Sequence, residues 1–463
     1  MQAMVPTSAA PAVPRMDSMS LPNDARYGAD AVLLKSSRVS ERFFPQNAGT
    51  FSPSSSRVIR FDISSTNFTD LSEARLCATL VVQGGNATVS AILDGGLGGM
   101  IERISIMNAS GQLLERIDDY ALLQTVLNQC SQRARDDADG LWLEENFIAD
   151  INNVPNAAAA ADSPDYMIQP GVTERTRDLC HKLHGAWFQT HKKKLLPPGV
   201  AYKVEIELVS NANQCLQIKD TAGLTEFAKF ELNDVYIDIP SVQIMSQGFE
   251  DSTARLLSRG WSWTGSTYRR YSFTTTGASA AGTQFNIPDK SLALTGLIAV
   301  GRTTANIGAA GQMQNYVRDG DFFGSALNTA SSYNVQIGSQ QYPANRIDYL
   351  PVANAAGDAA DGTMKLSGPV TQIKAVLGDV PLGSAKSFGQ IGAAADGSVG
   401  GTGFLAIQVG FREGQGIDTQ TASLPVQLFC GTKAASTLTV YCQATAMFRM
   451  EPGQGMMSVV SYI

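Results

Sequence analysis

The sequence predicts an all-β chain built as two β-sandwiches in tandem, and three observations carry that prediction. Apolar residues recur with period two from Arg57 onward, the signature of strands with one buried face. Helix signals are confined to one short stretch. The length, 463 residues, leaves some 400 residues of β pattern, more than one sandwich of ordinary size uses.

The strands follow in order. Ile59, Phe61 and Ile63 alternate with Arg60 and Asp62; Tyr202, Val204, Ile206 and Leu208 alternate with Lys203, Glu205 and Glu207. Phe230 and Leu232 continue the pattern, Asn233-Asp234 interrupts it, and Val235, Ile237 and Ile239 resume it. Leu292 to Val300 is apolar enough for a buried strand. Leu405, Ile407, Val409 and Phe411 form a later row, and Leu438, Val440, Cys442, Ala444, Ala446, Phe448 and Met450 form the longest. The one helix expected has Asp118-Asp119 as its N-cap, followed by Leu122, Leu123, Val126, Leu127 and Cys130. Gly/Ala/Asp/Ser segments at Pro155 to Pro164, Gly277 to Gly282, Val352 to Thr363 and Gly392 to Gly403 are expected to be long surface loops.

Three segments result: an N-terminal arm over residues 1–40, without sustained periodicity, a first sandwich over 41–245 and a second over 246–463. The boundary is expected between Ser241 and Ser266, after a strand ending at Pro240. No sequence repeat links the halves.

Charged residues are 17% of the chain and hydrophobics 44%, with a mean hydropathy of −0.05, which excludes an intrinsically disordered acidic or basic chain. Lys+Arg 35 against Asp+Glu 42 gives a net charge of −7, without the basic stripe that phosphate neutralisation requires, so no specific nucleic-acid site is expected. The first 60 residues carry a local +3, a small asymmetry. No apolar run reaches the length that spans a bilayer. The N-terminus lacks the basic and apolar regions of a secretory signal, and six cysteines without a C-x-x-C pair fit reduced thiols and folding inside a cell.

Enzyme signatures are missing where they would be expected. Gly95-Gly96-Leu97-Gly98-Gly99 leads into the Ile101 to Ile106 strand with no Gly-Lys-Ser/Thr to cradle phosphate. Gly260-Trp261-Ser262-Trp263-Thr264 lacks the second glycine of a nucleophile elbow and is expected as an inter-domain loop with two packing tryptophans. His181, His184 and His191, with Cys180 adjacent, are the one crowding of zinc-ligand types. Lys182 and Lys192 to Lys194 surround them with positive charge and weigh against a cation. Asp136, Asp137, Asp139, Glu144 and Glu145 are expected on solvated surface. The expectation is therefore no catalytic residue, no metal and no cofactor.

The order of several short motifs resembles a known family. Phe43-Phe44-Pro45-Gln46-Asn47, Thr50-Phe51-Ser52-Pro53, Val58-Ile59-Arg60-Phe61-Asp62-Ile63 and Asn67-Phe68-Thr69-Asp70-Leu71 resemble the opening of double-jelly-roll major capsid proteins of polinton-like viruses and virophages. Gly111 to Tyr120 looks like that family's strand, turn and helix entry, and Phe230 to Val235 like the strand closing its first roll. Val335 to Ile337 followed by Gln341-Tyr342-Pro343 is similar to a later segment. The resemblance covers the first 130 residues by motif and the rest by pattern. It implies two eight-stranded jelly rolls with one short helix in the first. It also implies a homotrimer forming a pseudo-hexameric capsomer in the icosahedral virion of a double-stranded DNA virus. Penton and minor capsid proteins are the implied partners, with a membrane beneath the shell left open. The rival reading is a carbohydrate-binding or adhesive fibre-type β-sandwich.

Overall fold

The computed structural model describes residues 36–83, 90–93, 95–129, 175–189, 195–219, 229–244, 260–277, 279–307, 331–349, 367–377, 392–393, 399–400, 404–410, 416–421, 423–432, 435–451 and 458–462. The arm up to residue 35, Cys130, His191, Lys192 to Lys194, the acidic cluster at 136–145, Phe411 and the segments 155–164 and 352–363 lie outside the described residues.

The first roll contains β1 (Ser36–Phe43), β2 (Thr50–Phe51), β3 (Val58–Ser64), β4 (Phe68–Thr69), β5 (Arg75–Gln83) and β6 (Ser90–Leu93). It continues with β7 (Ile101–Asn108), β8 (Leu113–Asp118), helix α1 (Tyr120–Gln129), β9 (Arg175–Lys182), β10 (Ala201–Leu208), β11 (Leu216–Lys219) and β12 (Lys229–Ile244). Its sheets run β1-β12-β5-β9, with β2 and β4 added on β12, and β3-β10-β7-β8; β6 and β11 pair separately.

The second roll contains β13 (Trp261–Thr275), β14 (Ser279–Ile287), β15 (Leu294–Thr303), β16 (Ser331–Ile337), β17 (Gln340–Tyr349) and helix α2 (Ser367–Leu377). Then come β18 (Gly392–Ala393), β19 (Val399–Gly400), β20 (Phe404–Gln408), β21 (Val426–Thr432), β22 (Ser436–Glu451) and β23 (Ser458–Tyr462). Its sheets run β13-β22-β15-β20, with β23 added on β22, and β14-β21-β16-β17.

Ranking the eight principal strands of each roll along the chain, both rolls have one sheet in the order first, eighth, third, sixth and another in the order second, seventh, fourth, fifth. That is the jelly-roll order, drawn twice. Each helix falls in the same place, between the fifth and sixth strands. The repeat absent from the sequence is therefore complete in the topology.

Local chemistry explains the elements. In β10, Tyr202, Val204, Ile206 and Leu208 are buried, and the intervening residues face outward. There Glu205 meets Arg60 at 3.0 Å, and Glu207 meets Arg57 at 3.2 Å and Arg103 at 2.9 Å. These part-exposed pairs fix register more than they add stability. Opposite, β3 buries Ile59, Phe61 and Ile63.

Five expectations are corrected. A second helix exists, α2. Gly368, Pro369 and the β-branched Val370, Thr371, Ile373 and Val376 depress its helical signal, yet proline is tolerated in a first turn, where its missing N–H has no intrahelical partner. Ile373 and Val376 are buried in one cluster with Phe404 and Ala406 of β20. The strand ending at Pro240 instead runs to Ile244, because Pro240 faces Ser40 of β1 and the eight residues of β1 extend the ladder. β1 starts at Ser36, so five residues of the compositional arm are sheet. Trp261 to Thr264 is the start of β13, not a loop, and most of Gly277 to Gly282 is the bulged start of β14.

Candidate functional site

The most developed side-chain arrangement lies where the two rolls meet. On the first roll's side are β8, the N-terminus of α1 and the segment 185–188 that follows β9. On the second roll's side are β13, β15 and β22.

β8 buries both Leu114 and Glu115, breaking the simple alternation of a strand, because the second roll covers what would otherwise be an outer face. Glu115 is 1% exposed. Its carboxylate accepts the backbone N–H of Ala186 at 2.8 Å and of Trp187 at 2.9 Å, and a hydrogen bond from the Thr267 side chain in β13. Burial pushes the Glu115 carboxyl above the usual carboxylate range, against the opposing pull of these donors.

Next to it the backbones touch. Gly265 of β13 faces Ala186 so closely that a Cβ there would stand 2.2 Å from the Ala186 carbonyl oxygen. Trp187 is fully buried, its ring centroid 5.3 Å from that of Trp263, 5.2 Å from Phe448 and 5.0 Å from Tyr202. The tryptophan pair expected in Gly260 to Thr264 thus includes one anchor of the junction, Trp263.

The third contact is ionic. Asp119 directly precedes α1 with a positive φ of 52°, and its carboxylate meets Arg302 at 3.0 Å and Arg270 at 3.3 Å, both from the second roll. Tyr441 of β22 donates its hydroxyl to the Asp119 carbonyl at 2.8 Å. The helix starts where the Asp118-Asp119 pair predicted. The carboxylates, however, serve tertiary contacts, Asp118 holding Arg103 at 2.6 Å and Arg116 at 3.0 Å.

The histidines join α1 to β9. His181 is buried with its Nε2 2.9 Å from the Tyr120 hydroxyl, which also accepts the His184 backbone N–H at 2.9 Å. His184 Nε2 lies 3.2 Å from Asn128 Oδ1, and its Nδ1 2.5 Å from Gln189 Nε2. Among the described residues no three metal-ligating side chains converge. Gly95 to Gly99 forms a buried turn under the same helix. Gln124 donates to the Gly95 carbonyl at 2.6 Å, and a Cβ on Gly98 would lie 2.6 Å from Gln124 and 2.7 Å from His181. Those glycines permit close packing of α1.

A cavity of about 640 Å³ opens on the outer face of the β1-β12-β5-β9 sheet, lined by Arg38, Arg75, Cys77, Asp178, Cys180 and Tyr236 among others. Cys180, adjacent to His181 in sequence, is turned by the sheet to this face, towards Cys77 and away from His181.

No protein-family model and no curated protein sequence matches the chain. Solved structures do. A chain of the quasi-atomic model of the PBCV-1 virus capsid superimposes with a TM-score of 0.57 at 10% identity, over 92% of this chain and 97% of that one. A chain of the Sputnik virophage gives 0.55 at 11% identity, over 100% and 94%. The mavirus major capsid protein gives 0.51 at 11% identity, over 98% and 96%. Matches of this length span both rolls together with the connection between them, and at such low identity they report architecture: the chain has the double-jelly-roll fold found in these viral capsid proteins.

Proposed function

We propose that this chain is a major capsid protein, three copies of which form a pseudo-hexameric capsomer in the icosahedral shell of a double-stranded DNA virus. The observation that carries the reading is the pairing of two rolls of identical strand order, locked side by side by the Glu115, Trp187 and Asp119 contacts. A lattice position with six neighbours is filled by three chains when each presents two similar rolls held at a fixed angle. A junction of buried aromatics, touching backbones and a shielded ion pair holds that angle. Independent domains on a linker would not need it.

In this reading the arm before the first roll serves contacts between capsomers, and the second roll starts between β12 and β13. Partners are further copies of the chain, together with penton and minor capsid proteins. The protein is made in the host cell and resides in the virion. Its role is structural, with no reaction catalysed.

Light scattering of the purified protein tests the capsomer: the expected mass is about 148 kDa, three times the 49.2 kDa chain. A monomer that persists at high concentration overturns the reading. Electron microscopy of the same sample should show compact particles with a hexagonal outline.

A further inference from the structure

The cavity on the outer face of the first roll carries chemistry that shell building does not use. Cys77 of β5 and Cys180 of β9 are direct partners in the antiparallel ladder, and both line the cavity as thiols. Directly opposed residues in such a ladder have Cα atoms about 4.5–5.5 Å apart, inside the range of about 4.4–6.8 Å that a disulfide spans. The pair is therefore within a disulfide's reach.

Their surroundings favour reaction at Cys77. Its thiol hydrogen-bonds with Cys180 and also with Tyr236 of β12. The Cys180 bond foremost, then the Tyr236 bond and the charge of Arg75, hold the Cys77 thiol below the usual range against burial and the charge of Asp238. The thiolate is the nucleophile, so a thiol held low favours reaction within the pair, and Cys180, the less buried of the two, opens the pair to the cavity. The other described cysteines differ. Cys215, Cys430 and Cys442 are fully buried, and burial pushes the thiols of Cys430 and Cys442 up.

We propose that Cys77 and Cys180 form a peroxide-responsive dithiol that closes to a disulfide and staples β9 to β5. In the first step the Cys77 thiolate attacks one oxygen of hydrogen peroxide. The O–O bond breaks, the sulfur becomes a sulfenic acid, and the departing hydroxide takes up a proton to leave as water. In the second step the Cys180 sulfur attacks the Cys77 sulfur. The S–O bond breaks, the S–S bond forms, and hydroxide leaves with the Cys180 proton as a second water. Two thiols and one peroxide thus give one disulfide and two waters, and the two electrons lost by the sulfur pair reduce the peroxide.

The position gives the closure a consequence. Among the described strands β9 ends its sheet and pairs with β5 alone, so its separation from β5 would open the roll at that edge. A covalent tie there blocks this opening. A reducing cell keeps the thiols open during folding, and an oxidising exterior closes them.

The test uses the reduced full-length protein, treated with hydrogen peroxide, alkylated, digested and analysed by mass spectrometry. The expected product is the Cys77 peptide linked to the Cys180 peptide, released by dithiothreitol, with Cys215, Cys430 and Cys442 still alkylated. In Cys180→Ser the resolving thiol is gone, so dimedone should trap a sulfenic acid on Cys77. The melting temperature of the wild type should rise on peroxide treatment and return with dithiothreitol, and Cys180→Ser should show no rise. Full alkylation of both cysteines after peroxide overturns the proposal.

Discussion

Replacing Gly265 by alanine tests whether the junction between the rolls is as tight as its backbone contact implies. The new Cβ would lie 2.2 Å from the carbonyl oxygen of Ala186, 2.7 Å from its Cα and 2.8 Å from its carbonyl carbon. All three are backbone atoms, and the Ala186 and Trp187 N–H groups are tied to the buried Glu115, so no side-chain rotation relieves the overlap. The two segments must part by about 1 Å, and a gap of 0.5–1 Å already forfeits roughly a quarter to a half of each dispersion contact it opens. The neighbouring contacts are those of Trp187 with Trp263 and Phe448. Overpacking costs about 1–3 kcal/mol, and loosening the aromatic cluster places the expected loss near the upper end, about 3 kcal/mol. Alanine's gain over glycine in a strand, about 0.5–1 kcal/mol, opposes this only in part. The assay is urea unfolding followed by tryptophan fluorescence, since Trp187 and Trp263 report on the junction. Gly277→Ala is the control, with nothing within 4 Å of its added Cβ, and should stay within about 0.5 kcal/mol of wild type. A Gly265→Ala protein as stable as that control would refute the close backbone contact and with it the rigid angle between the rolls.

Further outcomes follow from the same contacts. Because burial raises the Glu115 carboxyl above its unfolded value, the native state holds that proton more tightly. Its contribution is present below the ordinary carboxylate range and is lost as pH rises through the raised folded value. The stability of wild type relative to Glu115→Gln, measured by urea melts, should therefore rise from about pH 8 to about pH 4, and a difference independent of pH would count against a titrating junction. Asp119→Asn keeps a residue tolerant of positive φ but removes the charge facing Arg302, which is 9% exposed, and should cost about 2–4 kcal/mol in the same assay. Deleting residues 2–35 should leave the melting temperature nearly unchanged. Deleting residues 2–43 removes the eight residues of β1 from its ladder with β12 and should lower it by many degrees. Equal melting temperatures for the two truncations would show that β1 adds nothing to the sheet.

What the sequence determined by itself is whatever depends on local period. The alternation at Ile59 to Ile63 and Tyr202 to Leu208 requires strands with one buried face, and the structure places β3 and β10 there in adjacent register. The stripe after Asp119 requires a helix, and α1 begins one residue later. The ordered motifs of the first 130 residues added the jelly-roll architecture through resemblance. What only the tertiary structure decided is which surface each buried face meets. The row from Leu438 to Met450 looks uniform, yet Leu438, Val440 and Cys442 enter the second roll's core. Ala446, Phe448 and Met450 join the first roll's core, because a 16-residue strand of roughly 53 Å outruns one sandwich. Glu115 looks like an ordinary charged strand residue, and Gly265 like a weak point in β13. Their roles exist only once segment 185–188 lies across them. Cys77 and Cys180 stand about a hundred positions apart, and their meeting is a matter of β5–β9 register. Period is a property of neighbours along the chain and survives in the sequence. Pairing between distant strands depends on contacts formed throughout the fold, so it appears only when the whole chain is assembled.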